Sequence, residues 1–150
     1  MTKKINRKKF LKTAATVGMG SMLFPSIKLK PTRKRDEVKL GFIGTGLRGQ
    51  WLLDLASKRK DVAIPAICDI DQKMIDRALR ILKRNEKDEP TVYKNGEEDF
   101  LNLVERDDLD AVIIATPWEW HHPMAVAAMR EGKHVGIEVP AAITVEDCWD

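Results

Sequence analysis

Three short segments hold side chains whose types and spacing suggest chemistry. The first is Gly44-Thr45-Gly46-Leu47-Arg48-Gly49, a G-x-G-x-x-G run that follows an apolar stretch and precedes a helical pattern. In that setting Gly44 permits a tight turn, Gly46 lets a pyrophosphate approach the backbone, and Gly49 lets helix and strand pack closely. The N–H groups at a helix start have no partner inside the helix, so they face the anion. The competing reading is a purely structural glycine turn. Asp69 follows roughly 20 to 25 residues later, at the end of the next apolar run, where a carboxylate accepts from the ribose hydroxyls of a dinucleotide and repels a 2′-phosphate. The pair points to NAD rather than NADP. A helix cap is the alternative for Asp69 and the preferred role for Asp71.

The second segment is Pro117-Trp118-Glu119-Trp120-His121-His122-Pro123, expected as a loop at the carboxyl end of a strongly apolar strand, where ligands gather in open α/β sheets. Adjacent histidines suggest a metal, but no further Cys, His or carboxylate has convincing ligand spacing, so no metal site is assigned. Trp118 and Trp120 can stack on a nicotinamide or a sugar, or be buried against another domain. The third segment, Glu138-Val139-Pro140, ends the next strand at the same edge. Cys68 and Cys148 read as isolated apolar thiols, and Met124 and Met129 as core residues.

These segments need a scaffold, and the hydropathy pattern supplies one. Apolar runs at Val38–Ile43, Val62–Cys68, Thr91–Tyr93, Asp110–Thr116 and His134–Val139 predict strands, with Pro65 a blemish in the second. Helical spacing predicts helices over Leu47–Lys58, with Leu52, Leu53, Leu55 and Ala56 on one side, and from an Asp71 cap to Lys83. Two more are expected over Phe100–Glu105 and Pro123–Arg130, with Asn95-Gly96 as a turn and Gly132 as the last helix's stop. Alternating strands and helices imply right-handed crossovers and a doubly wound parallel sheet. Thr144-Val145-Glu146-Asp147 reads as a helix start cut short by the chain's end, so the domain is expected to be incomplete before its last strand.

With 150 residues, 43% hydrophobic and 33% charged, and two cysteines, the chain accommodates one globular domain and is not a disulfide scaffold. Its net charge of +3 is unevenly placed: residues 1–35 carry eleven Lys or Arg and no acid, leaving 15 basic against 23 acidic side chains in the body. An acidic body argues against nucleic-acid binding. The basic start runs into an uncharged apolar stretch, Thr13–Ile27, too short for a stable transmembrane anchor. Asn6-Arg7-Lys8-Lys9-Phe10-Leu11-Lys12 resembles a twin-arginine export signal with Lys8 at the second arginine. Residues 1–27 are therefore expected to be an export leader, placing the protein in the periplasm or cell envelope, with the cytoplasm as alternative. Residues 28–37 read as a basic linker and 38–150 as the nucleotide-binding domain.

GFIGTGLRGQ, CDID and ATPWEWHHPMAVAAMREGKHVGIEVPAAITVEDCWD together resemble the Gfo/Idh/MocA superfamily, and within it glycoside hydrolase family 109, from Val38 to Asp150. The resemblance implies a Rossmann-like NAD-binding domain followed by an α+β substrate domain absent from this chain. It implies NAD contacts at Leu47, Arg48, Asp69, Trp118, Glu119, Trp120, His121, Glu138 and Val139. It also implies hydrolysis of α-linked terminal N-acetylgalactosamine: bound NAD oxidises the sugar at C3, the acidified C2 proton leaves, the glycosidic bond breaks by elimination, water adds and the hydride returns. Sugar dehydrogenases of the superfamily are expected to carry Glu-Lys-Pro where this chain has Glu138-Val139-Pro140, and valine cannot shuttle a proton. The acid-base groups and sugar pocket are implied after residue 150, so this chain alone is expected to be inactive. The alternatives are a sugar or cyclitol oxidoreductase and a non-catalytic nucleotide-binding subunit. The expected partner is a glycoside substrate, with a homo-oligomer left open.

Overall fold

The computed structural model describes residues 37–149; the leader and most of the linker lie outside them. Five strands, β1 (Val38–Ile43), β2 (Val62–Cys68), β3 (Thr91–Tyr93), β4 (Ala111–Ile114) and β5 (His134–Ile137), alternate with α1 (Leu47–Ser57), α2 (Gln72–Arg84), α3 (Phe100–Val104) and α4 (Trp118–Arg130). All strand pairs are parallel, in the order β3-β2-β1-β4-β5. The chain thus winds one way from β1 to β3 and the other way through β4 and β5, which opens a crevice at the carboxyl ends of β1 and β4.

Both faces of the sheet are covered, which is why its strands are apolar rather than alternating. Phe42, Ile64 and Ile67 pack with Leu53, Ile75, Ala78 and Leu82 of α1 and α2. Ile43, Val112 and Ile114 pack with Phe100, Leu103, Met124 and Ala128 of α3 and α4. Asp71 caps α2 by accepting from the Lys73 amide at 2.8 Å. Gly132, at φ +72°, closes α4: its amide bonds the Met129 carbonyl and the Lys133 amide that of Ala128.

Several expectations change. Pro65 does lie within β2, beside a register irregularity between Lys39 and Gly41 of β1, while β3 pairs only from Ala66 onward, so no ladder bond is asked of the proline. Trp118–His122 are helical, not a loop. Pro123 resembles a first helical residue, yet α4 begins five residues earlier and forgoes one N–H bond at Pro123. Leu55 is 55% and Met129 52% exposed, so neither is core, and Cys148 is exposed rather than buried apolar. Thr144 starts only a 3₁₀ turn, Glu146–Trp149, with a reciprocal cap: Asp147 N donates to Thr144 Oγ1 at 3.2 Å and Thr144 N to Asp147 Oδ2 at 3.3 Å. Among the described residues no helix is long and apolar enough to cross a membrane.

Candidate dinucleotide site

The glycine segment joins β1 to α1 in the geometry a phosphate loop needs. Gly44 sits at φ +85°, and a side chain there would meet the Ala115 carbonyl oxygen at 2.6 Å. At Gly49 an added Cβ would collide with the Gly44 carbonyl, so the third glycine lets α1 close on the loop. Gly46 differs from both, because nothing lies within 4 Å of where its Cβ would be. It is also the N-cap of α1, with no side-chain cap and no acid in the helix's first turn. Open space beside a helix start that has no side-chain cap and no acid of its own in the first turn is what an incoming pyrophosphate requires. NAD therefore fits this loop on geometry.

Asp69, just past β2, is bound more tightly to the loop than its spacing suggests. Its Oδ2 accepts from Thr45 N at 2.6 Å and from Thr45 Oγ1 at 2.9 Å, while Oδ1 accepts from Asp71 N at 2.9 Å. Thr45 is fully buried, and its carbonyl accepts from Gln50 Nε2 at 2.7 Å. Neither Thr45 nor Gln50 stands out in the sequence, since a motif with variable positions says nothing about which x carries a bond. The available signal was a hydroxyl between two glycines, one strand away from an acid.

A cleft of about 370 Å³ opens where these elements meet, and Gly44, Gly46, Asp69, Glu119 and Trp120 all line it. Ile70, Met74, Thr116 and Pro117, which sequence reasoning did not single out as site residues, line it too. Leu47, Arg48, Gly49, Trp118, His121, Glu138 and Val139 are outside its wall. Arg48 Nε reaches Glu138 Oε1 at 2.6 Å, linking the start of α1 to the end of β5, and its guanidinium lies 4.5 Å from the Trp51 ring centroid. Trp118 is 63% exposed, whereas Trp120 stands edge-on to Phe100 with ring centroids 6.1 Å apart.

His121 is buried, with Nδ1 2.7 Å from the Pro140 carbonyl and Nε2 2.9 Å from that of Thr116. The ring ties the ends of β4 and β5 together. His122 Nδ1 lies 3.4 Å from Asp147, and no group of three His, Cys, Asp or Glu placed to hold a metal occurs among the described residues. Burial pushes the Cys68 thiol up to about 12, which makes it an inert wall of the cleft rather than a nucleophile.

Residues 38–150 match the Gfo/Idh/MocA oxidoreductase family, described by its NAD-binding Rossmann fold. A glycosyl hydrolase family 109 protein from a Shewanella species is 40% identical over 163 residues, covering 97% of this chain and 36% of that protein. An alpha-N-acetylgalactosaminidase from Shewanella oneidensis is 38% identical over 163 residues, with the same coverage. The chain thus spans about a third of the length of these relatives. Among solved structures, myo-inositol dehydrogenase from Lactobacillus casei in complex with NAD(H) and myo-inositol has a TM-score of 0.65 at 28% identity, covering 75% of this chain and 31% of that one. On the strength of the match across residues 38–150, this chain belongs to the Gfo/Idh/MocA family and provides an NAD-binding Rossmann domain.

Proposed function

We propose that this domain is the NAD-holding part of an exported glycoside hydrolase that releases α-linked terminal N-acetylgalactosamine, or a related glycoside, by transient oxidation. Bound NAD supplies a hydride acceptor that returns the hydride within the same turnover. The chain's own residues do the holding. The uncapped start of α1 and the open side of Gly46 receive the pyrophosphate, Asp69 accepts from the ribose, and the Arg48–Glu138 pair links two segments at the carboxyl edge of the sheet.

Val139 carries the choice of reaction. It is 80% exposed at the end of β5, at the position where the family's dehydrogenases are expected to place a proton-handling lysine. An alkyl side chain there can neither take nor give a proton, so one-step alcohol oxidation lacks its usual relay. The relatives named glycosyl hydrolase family 109 support this reading; the likeness to inositol dehydrogenase supports the second, an oxidoreductase acting on a sugar or cyclitol.

The test is an assay of the polypeptide carrying this domain on a chromogenic α-N-acetylgalactosaminide with no NAD added. Aglycone release without net cofactor reduction is expected. No release, with net reduction of added NAD by free sugars, would establish the oxidoreductase instead. Export rests on the basic-then-apolar order of residues 1–27. Fused to a reporter active only outside the cytoplasm, that segment should give signal, and silence of the fusion in export-competent cells would rule the leader out.

A further inference from the structure

We infer that Thr45 is a positioning residue that enforces the choice of NAD over its 2′-phosphorylated form, by fixing the Asp69 carboxylate in place. The inference rests on NAD binding by this fold and is independent of the glycosidase reading.

A carboxylate offers about four acceptor sites on its two oxygens. At Asp69 the chain uses three: Thr45 N and Thr45 Oγ1 both donate to Oδ2, at 2.6 and 2.9 Å, and Asp71 N donates to Oδ1 at 2.9 Å. Turning the carboxylate about its Cβ–Cγ bond would break all three. One acceptor site remains, on Oδ1, on a residue that lines the cleft. A ribose hydroxyl can donate to it. A phosphate brings only acceptors and negative charge, and a carboxylate held on both oxygens cannot turn aside to relieve the repulsion.

Thr45 can act as the fixed partner because it is itself held. The Gly44 amide bonds the Cys68 carbonyl at 2.8 Å, Gln50 Nε2 bonds the Thr45 carbonyl at 2.7 Å, and the side chain is sealed from solvent. The hydroxyl therefore has one evident duty, the second bond to Oδ2. Without it Oδ2 keeps only the amide, and the side chain gains freedom to swing.

The experiment measures the dissociation constants of NAD and NADP for the full chain and for Thr45→Val and Thr45→Ser, by calorimetry or tryptophan fluorescence. Thr45→Val keeps the branched shape and removes the donor; it should weaken NAD about tenfold and change NADP less than about twofold, collapsing the preference. Thr45→Ser restores the hydroxyl and should restore the preference. In an Asp69→Ala background, Thr45→Val should leave the ratio where Asp69→Ala alone put it. Equal losses for both dinucleotides in Thr45→Val, or a serine variant as impaired as the valine one, would overturn the inference and leave Thr45 a packing residue. If Thr45→Val does not fold, as judged by its melting curve, Thr45→Ala supplies the same comparison by the same criteria.

Discussion

At the scale of single residues, three glycines in one motif have three unlike environments, and this separates binding from folding. Alanine at Gly49 would drive a methyl into the Gly44 carbonyl, which is backbone and cannot swing aside as a flexible side chain would. Gly49→Ala is expected to destabilise the domain by roughly 3 kcal/mol or more. Gly46→Ala meets nothing in the protein and should change stability by less than about 1 kcal/mol, yet its methyl enters the space left for the pyrophosphate. NAD affinity should fall about tenfold or more while the melting temperature stays put. Thermal melts paired with NAD titrations of both variants check this, and a Gly46→Ala protein that binds NAD normally would remove the loop from the site. The sequence made the glycines and Asp69 legible because their spacing has a mechanism. It could not show that Thr45 holds Asp69, nor that His121 has its ring clamped by carbonyls 5 residues before and 19 after it, because such partners are set by how separate turns meet.

At the scale of elements, every strand start was legible to within one residue, since a continuous apolar run fits few places other than a covered parallel sheet, while β4 and β5 end two residues before their expected Thr116 and Val139. The start of α4 was not, because Pro123 carries the signature of a first helical residue and the preceding aromatic and histidine side chains lack a helical pattern of their own. The join between α1 and α2 shows a further thing that periodicity misses. Asp54 of α1 accepts from Lys58 at 2.6 Å, from Arg84 of α2 at 2.7 Å and from Asn85 at 3.0 Å, and Asn85 also donates to buried Ser57 at 2.7 Å. The Lys58 hydrogen bond, followed by that of Asn85, holds the Asp54 carboxyl down from 3.8 to about 2. A carboxyl with a lowered folded-state value stabilises the fold above its unfolded value near 4 and loses that contribution as pH falls toward 2. Asp54→Asn should therefore lower the denaturation midpoint at pH 7 by a modest amount, as suits a solvent-screened cluster, and the gap from the parent should close between pH 4 and pH 2. Urea titrations of the two proteins across that range measure it; a gap that persists at pH 2 would mean that the carboxylate's charge is not what joins the helices.

At the scale of the whole molecule, charge is unevenly divided along the chain. The eleven cations of residues 1–35 account for the positive total, and residues 36–150 are acidic, so the proposed pyrophosphate site relies on backbone amides at one helix start rather than on a basic surface. The domain provides a cofactor cleft and no proton relay at Val139, in a family whose glycosidase-named relatives are about three times as long. The proposed reaction oxidises the sugar and restores it within one turnover. Its most direct test is hydrolysis of an α-N-acetylgalactosaminide in deuterated water by the polypeptide carrying this domain, with the released sugar read by proton NMR. One deuterium is expected at C2, where the proton would leave and return through solvent, with full retention of hydrogen at C3, which would be held by the cofactor within the turnover. Release of a sugar with no deuterium at C2 would contradict it.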